Sequence, residues 1–300
     1  MKLSKGEKVY KWICFALTLI VTLTCLYPLL YCLFLSLATA REIADNGGFL
    51  LWFPTKPTLL AYKKILNADT FVFGAIGISV IKTLIATVLH ILTCTLAGYV
   101  LSRRGLPGKA IYMKFMLVTI LFGGGLIPSY LAMTQLGFRN SFMVLILPGI
   151  FSAYDVLIFK QFFEGIPIEL EEAAEVDGVN EMQMFGRIIL PMSKPVLAAI
   201  GLFTVVGNWN DWFTAFLYID QEHAAMWPLQ TYIMLIFNNL NMLINPELAA
   251  MLDKVATTDT VNDLSTRMAL TFVAILPMLI IYPFFQKYFT KGVYLGAVKG

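Results

Sequence analysis

Six long apolar stretches joined by polar connections constrain this chain more than any other feature it has. They lie at about residues 12–37, 72–101, 110–132, 141–163, 195–219 and 268–289. A helix needs about 20 mainly apolar residues to cross the hydrocarbon core of a bilayer. The chain is therefore expected to be an all-α membrane protein with six transmembrane helices. Its charged fraction of 14% is well below the roughly 25% of a soluble domain. The run from Trp12 to Leu37 follows a basic N-terminus. It is too long for a signal peptide, has no small-residue cleavage site near its end, and reads as a retained span. The domain reading is residues 1–71 (tail, first helix and outer loop), a core of 72–289, and a tail of 290–300.

Lys and Arg near span ends set orientation. Lys2, Lys5, Lys8 and Lys11 precede the first span, and Arg103, Arg104 and Lys109 follow the second. Lys160, Arg187 and Lys194 follow the fourth, and Lys287, Lys291 and Lys299 lie after the sixth. With six spans these clusters share one side, which places both termini in the cytoplasm of a bacterial plasma (inner) membrane. Lys63 and Lys64 fall on the opposite side, in a long loop that also carries Glu42, Asp45 and Asp69. The basic residues are scattered at helix ends, which excludes a nucleic-acid surface. Cys14, Cys25, Cys32 and Cys94 all sit in apolar runs without metal or disulfide spacing and read as small buried hydrophobes.

Breakers interrupt three spans: Gly123-Gly124-Gly125 with Pro128, Pro148-Gly149, and Pro277 with Pro283. Backbone groups freed at membrane depth need protein or a water-filled cavity to receive them. Broken helices therefore suit a transport path. Plain helix packing accounts for any single one of them.

Between Lys160 and Arg187 stand seven acids and no base: Glu164, Glu169, Glu171, Glu172, Glu175, Asp177 and Glu181. Pro167 suits a first helical turn. From it Leu170, Ala173, Ala174 and Asp177 fall on one face. Glu171 and Glu175, one turn apart, repel each other unless a cationic surface relieves them. Gly178 is placed to end this helix and Asn180 to cap a second, which presents Met184, Phe185 and Ile188 until Pro191. On charge alone this coupling segment, about 164–191, is no more than a solvated loop.

The pattern of residues is more specific than the charge. Glu172-Ala173-Ala174, then Asp177-Gly178, Phe185, Ile188, Pro191 and Pro195, resembles the EAA loop of ABC-importer permeases. Pro128-Ser-Tyr, Leu136-Gly137 with Asn140, Leu147-Pro148-Gly149, Ile166-Pro167 with Glu169-Leu170, and Trp209-Asn210 with Trp212 resemble the carbohydrate-uptake branch, relatives of the maltose permease of the MalG type. Gly98-Tyr99 and Leu101-Ser102-Arg103 fit as well. The resemblance runs from about residue 70 to the end. It implies a type I importer permease fold whose cytoplasmic coupling helices dock on an ATP-binding subunit. Glu171, Glu172, Ala173, Ala174, Asp177, Gly178 and Phe185 would carry that docking. Gly296, Ala297, Val298 and Lys299 resemble the branch's C-terminus, which can reach the ATPase dimer interface. The implied partners are a second homologous permease, a dimer of ATP-binding subunits, an extracytoplasmic solute-binding protein, an oligosaccharide and membrane lipid. The chain lacks a G-x-x-x-x-G-K-[ST] phosphate loop. It is thus expected to be no enzyme, with ATP and magnesium on the partner and no cofactor of its own.

Near the outer end of span five, Asn208, Asp211 and Trp212 share one face at i, i+3 and i+4. Aromatic rings suit the C–H faces of sugars, and amides and carboxylates suit their hydroxyls. An interfacial aromatic belt explains the same residues equally well. Asp155, Tyr130 and Tyr154 are further candidates, with helix packing as the alternative. In the outer loop at about 220–267, Leu229, Tyr232, Ile233, Ile236, Phe237 and Leu240 recur at helical spacing, followed by Glu247, Asp253, Asp259 and Asp263. By resemblance this side meets the binding protein.

Three rival readings stand beside this one. A self-sufficient secondary transporter or channel would need buried charge pairs, and the spans offer little beyond Lys82, His90, Asp155 and Asp211. A membrane-embedded enzyme would need a catalytic or metal constellation, and His90 and His223 stand alone in sequence. An ABC permease for a non-carbohydrate solute would share the coupling segment.

Overall fold

The computed structural model describes residues 4–47, 52–67, 71–237 and 263–297. Among them there are helices and no strand. Three helices are long and apolar enough to cross a membrane singly: Gly6–Leu37, Phe71–Ser102 and Leu264–Lys287. Three further helix pairs qualify only as bent units, so that six crossings result if each pair is one span.

In chain order the helices are α1 (Lys5–Leu37), α2 (Ala40–Asp45), α3 (Leu60–Ile65), α4 (Phe71–Ser102), α5 (Lys109–Leu121), α6 (Leu126–Gln135) and α7 (Ala153–Glu164). There follow α8 (Ile168–Val176), α9 (Glu181–Met184), α10 (Leu190–Met192), α11 (Lys194–Asn210), α12 (Phe213–Tyr218), α13 (Leu229–Phe237) and α14 (Asp263–Ala297). Leu240, Glu247, Asp253, Asp259, Val298 and Lys299 lie outside the described residues.

The breakers behave in two ways. At Gly123–Gly125 the chain bends by 112° between α5 and α6. Gly124 and Gly125 adopt φ of 60° and 90°, a region that side chains with a Cβ enter only at a cost. Around Pro148-Gly149 two short 3-10 turns, Phe142–Leu145 and Leu147–Gly149, precede α7, and the bend there is 44°. Pro277 and Pro283, in contrast, sit inside an uninterrupted α14. Each removes one N–H donor from the helix, and the flanking turns still hold it together. The expectation of a break in span six is not met.

The chain divides into two compact units. In the first, Met1–Phe73 with Ile233–Leu276, a small core of Leu35, Ala38 and Ile43 packs against Tyr31, Phe34, Leu264 and Met268. Ser36 meets the Tyr62 hydroxyl at 2.6 Å, and Glu42 accepts from the Thr55 amide at 2.6 Å. The second unit, Gly74–Tyr232 with Pro277–Gly300, carries the larger core. There Cys94, Tyr99 and Leu101 of α4, Val156, Phe159 and Phe163 of α7, and Val196 and Ile200 of α11 close on one another. Gly98 permits this. A Cβ at that position would stand 2.7 Å from the Phe159 Cβ, so α4 and α7 approach at the distance that only glycine allows.

Candidate functional site

Helix α8 carries the acidic segment, and local chemistry sets both its ends. Pro167 leads into it with φ −57°. At its C-terminus the Gly178 amide donates to the Glu175 carbonyl at 3.0 Å, and the Val179 amide to Ala174 at 3.0 Å. This pair of bonds is a Schellman stop, and its turning residue must be left-handed. Gly178 has φ +75°. Asn180 then opens α9 with a capping box, its side chain accepting from the Gln183 amide at 2.9 Å and Gln183 answering at 3.2 Å. The helix–turn–helix read from the sequence is present residue for residue at these caps.

The faces are distributed differently. Ala174 is buried, while Glu172, Ala173, Glu175, Val176 and Asp177 are exposed. Met184 and Phe185, expected to face outward, are buried in the larger core, with Phe185 against the Tyr99 ring at 5.0 Å between centroids. The reason is that α9 ends after four residues and runs into a π-turn at Phe185–Ile189, which rotates its apolar side inward.

The acids have cations after all, supplied from outside the segment. Arg103, just beyond α4, pairs with Glu171 and with Glu181, the latter at 2.6 Å. Its guanidinium lies 4.5 Å from the Tyr99 ring centre, and the Tyr99 hydroxyl donates to Glu181 at 2.5 Å. The Tyr99 hydroxyl and Arg103 together hold the Glu181 carboxyl below the ordinary carboxylate range. Glu164 is pushed up by partial burial, but Lys160 at 2.7 Å and Lys109 at 2.9 Å outweigh this and lower it. A cleft of about 750 Å³ opens beside these pairs, bounded by Arg103, Arg104, Glu171, Glu172, Glu175 and Glu181 among others. Glu171 is thus tied to the body of the chain, and Glu172 and Glu175 are turned outward.

Deeper among the spans, α4 presents Lys82 and His90. Eight residues apart on a helix, they lie on nearly the same face and about 12 Å apart along it. Lys82 is fully buried, and its Nζ donates to Asp211 Oδ2 at 2.6 Å and to the Asp211 carbonyl at 3.3 Å. His90 Nε2 meets Asp155 Oδ2 at 3.0 Å, and Nδ1 meets the Gly149 carbonyl at 2.8 Å. His90 does not stand alone: Lys82 pairs with Asp211 and His90 with Asp155. Each acid sits at a discontinuity: Asp155 in the first turn of α7, and Asp211 between α11 and α12. There Asp211 Oδ1 accepts from the Thr214 amide at 3.1 Å, which helps to end one helix and start the next.

That break corrects the geometry expected for span five. Asn208 and Asp211 line one cavity of about 350 Å³ together with Asp155, His90, Gly149, Ile200, Phe203, Thr204 and Gly207. Trp212 lies past the break and packs on Phe213 and Phe216, at 5.5 and 6.1 Å between centroids. Tyr130 stacks on Tyr218 at 5.5 Å, and Tyr154 is exposed. These three do not line the cavity. Gly296 and Ala297 form the end of α14. Among the described residues no group of three or more His, Cys, Asp or Glu side chains is placed to hold a metal ion.

Residues 104–294 match the family described as "Binding-protein-dependent transport system inner membrane component". The chain belongs to that family. It is 34% identical, over 98% of its own length and 99% of the relative's, to the polygalacturonan/rhamnogalacturonan transport system permease protein YtcP of Bacillus subtilis. It is 37% identical to Protein LplC of the same organism, over 91% of this chain and 89% of that one. Among solved structures, a bacterial ABC transporter involved in the import of the acidic polysaccharide alginate superposes with a TM-score of 0.84 at 26% identity, covering 96% of this chain and 99% of that one. The permease is thus a multi-pass inner-membrane subunit of an ABC importer, a transport component and not an enzyme. Membership of the family implies an ATP-binding and a solute-binding partner. The paired intramembrane charges are what a secondary transporter would also need, but family membership decides between the two readings.

Proposed function

We propose that this permease translocates oligosaccharides, delivered by an extracytoplasmic solute-binding protein, by alternating access driven from a separate dimer of ATP-binding subunits that holds ATP and magnesium. A second, homologous permease completes the path. Both termini and α8 face the cytoplasm. The observation that carries the reading is α8 itself, an acidic helix with a glycine stop, anchored to the body through Arg103–Glu171 and exposing Glu172, Ala173 and Asp177. A helix held from behind and free in front transmits a push in either direction. When ATP closes the motor dimer, α8 is carried inward and the Arg103 and core contacts pass that displacement to α4, α7 and α11. By the family resemblance, the C-terminal residues Gly296 to Lys299 supply a further contact to the motor. A saccharide as cargo is supported by the relatives named for polygalacturonan and rhamnogalacturonan transport and for alginate import.

The test is E172R combined with G178V in the assembled complex. Valine at φ +75° costs about 1–2 kcal/mol of local strain and displaces the stop. ATP hydrolysis stimulated by loaded binding protein should fall at least tenfold while the permease pair still assembles. Full stimulation and normal uptake in the double variant would remove the coupling role from α8.

A further inference from the structure

We propose that the cavity between α4, α7 and α11 is a saccharide subsite carried by this subunit, and that it reads the hydroxyl face of a sugar and rejects its carboxylate. The proposal rests on the saccharide reading above and gives it a place and a chemistry.

The two cations at the cavity are unavailable to a ligand. Lys82 is fully buried behind Asp211 and spends its donors on that residue. Both ring nitrogens of His90 face acceptors, the Gly149 carbonyl and Asp155 Oδ2. A single proton between Nε2 and Oδ2 satisfies the second contact whichever atom holds it, so the pair is neutral overall. The Lys82–Asp211 pair is neutral in the same sense. The lining therefore has no net positive charge and no cationic donor that points into the space.

Neutral groups and acceptors are what remain. Asp155 uses Oδ2 for His90, and its Oδ1 has no hydrogen-bond partner among the described residues. Asn208 donates one N–H to the Thr204 carbonyl at 3.0 Å, which fixes its amide and leaves Oδ1 as an acceptor and its second N–H as a neutral donor. Thr204 spends its proton on the Ile200 carbonyl at 2.8 Å and keeps lone pairs. Phe203, 72% exposed, supplies a flat apolar wall. Acceptors beside an aromatic face match the hydroxyls and C–H face of a pyranose. A carboxylate in the same position would come up against the Asp155 and Asp211 carboxylates with no cation and only one neutral N–H, that of Asn208, to meet it. At about 350 Å³ the cavity lies at the small end of ligand sites, with room for a sugar ring. An acidic oligosaccharide would pass with its carboxylates turned away from this wall. Asp155 and Asn208 are the contact residues. His90 and Lys82 position the carboxylates.

The experiment is isothermal titration of the complete complex in nanodiscs, binding protein omitted, with trigalacturonate and with its carboxyl-reduced neutral trisaccharide as probes. The neutral probe should bind more tightly. D155N, which removes the anion, should reduce that preference about fivefold. N208A leaves both ion pairs intact and should weaken both probes about fivefold, the effect of one hydrogen bond of about 1 kcal/mol. Tighter binding of trigalacturonate, no binding of either probe, or titrations of both variants that match the wild type would overturn the subsite. Failure of any saccharide to stimulate wild-type ATP hydrolysis through its binding protein would overturn the saccharide reading instead, and the two failures are separable.

Discussion

An ammonium inside a membrane protein is tolerable only when a carboxylate meets it, and Lys82 shows what that requires of both partners. Its Nζ is 2.6 Å from Asp211, whose other oxygen is committed to the Thr214 amide. Removing one member of such a pair leaves an uncompensated buried charge and costs about 3–5 kcal/mol, whereas removing both is far milder. K82M should therefore lower the thermal unfolding temperature of the purified protein markedly, and K82M/D211N should recover most of that loss. An additive double variant would mean that the two residues do not act as a pair. Neither this contact nor His90–Asp155 was legible in the sequence. Their partners lie 129 and 65 residues apart, and nothing local links them. The available signal was in the composition of the spans: two bases eight residues apart in one helix, and two acids elsewhere in the spans that could balance them. The caps at Gly178 and Asn180 could be read directly, because a Schellman stop and a capping box are decided within a few residues of chain.

At the scale of elements, hydropathy located segments that can cross but not their course. Apolar length says that a segment can cross. It does not say whether glycines at 123–125 bend the chain by 112° or whether prolines at 277 and 283 leave a helix whole. That outcome depends on neighbours that supply or withhold hydrogen bonds, and so does the inward turn of Phe185. The platform formed by α8 and α9 depends in turn on charge. Glu181 is held below the ordinary carboxylate range by the Tyr99 hydroxyl and Arg103, and Glu164 is lowered by Lys160 and Lys109. A carboxyl whose folded-state pKa is depressed contributes stability that is fully present above its unfolded value, about 4.3, and is lost as pH falls through the folded value. The protection of residues 168–189 against hydrogen exchange, taken relative to the intrinsic rate at each pH, should be high at pH 7 and should fall as pH drops below about 4, ahead of the spans. E181Q should flatten that dependence. Protection that stays constant across this window would show that the ion pairs around Arg103 do not hold the platform.

At the scale of the whole molecule, the exposed apolar surface sets what the chain can do alone. The most apolar window of α1 is 0% buried within the chain, and the corresponding windows of α4 and α14 are 33% and 17% buried. Helices this bare need an apolar surrounding to cover them. The cavity beside Asp155 and Asn208 is walled by one subunit and opens past the exposed Phe203. On the proposed reading the permease supplies a lever, α8, and takes its energy from a separate subunit. A secondary transporter with the same ion pairs would be driven by an ion gradient across its own spans. The two designs separate in proteoliposomes. The purified chain alone, given a proton or sodium gradient, should accumulate no oligosaccharide above the level of empty liposomes. Addition of the second permease, the ATP-binding subunits, the binding protein and ATP should raise uptake at least tenfold, and K82M/D211N should retain the requirement for ATP. Gradient-driven uptake by the chain alone would return Lys82, His90, Asp155 and Asp211 to the role of an ion-coupling path, because only then would their charges have to move during transport instead of holding the broken helices in place.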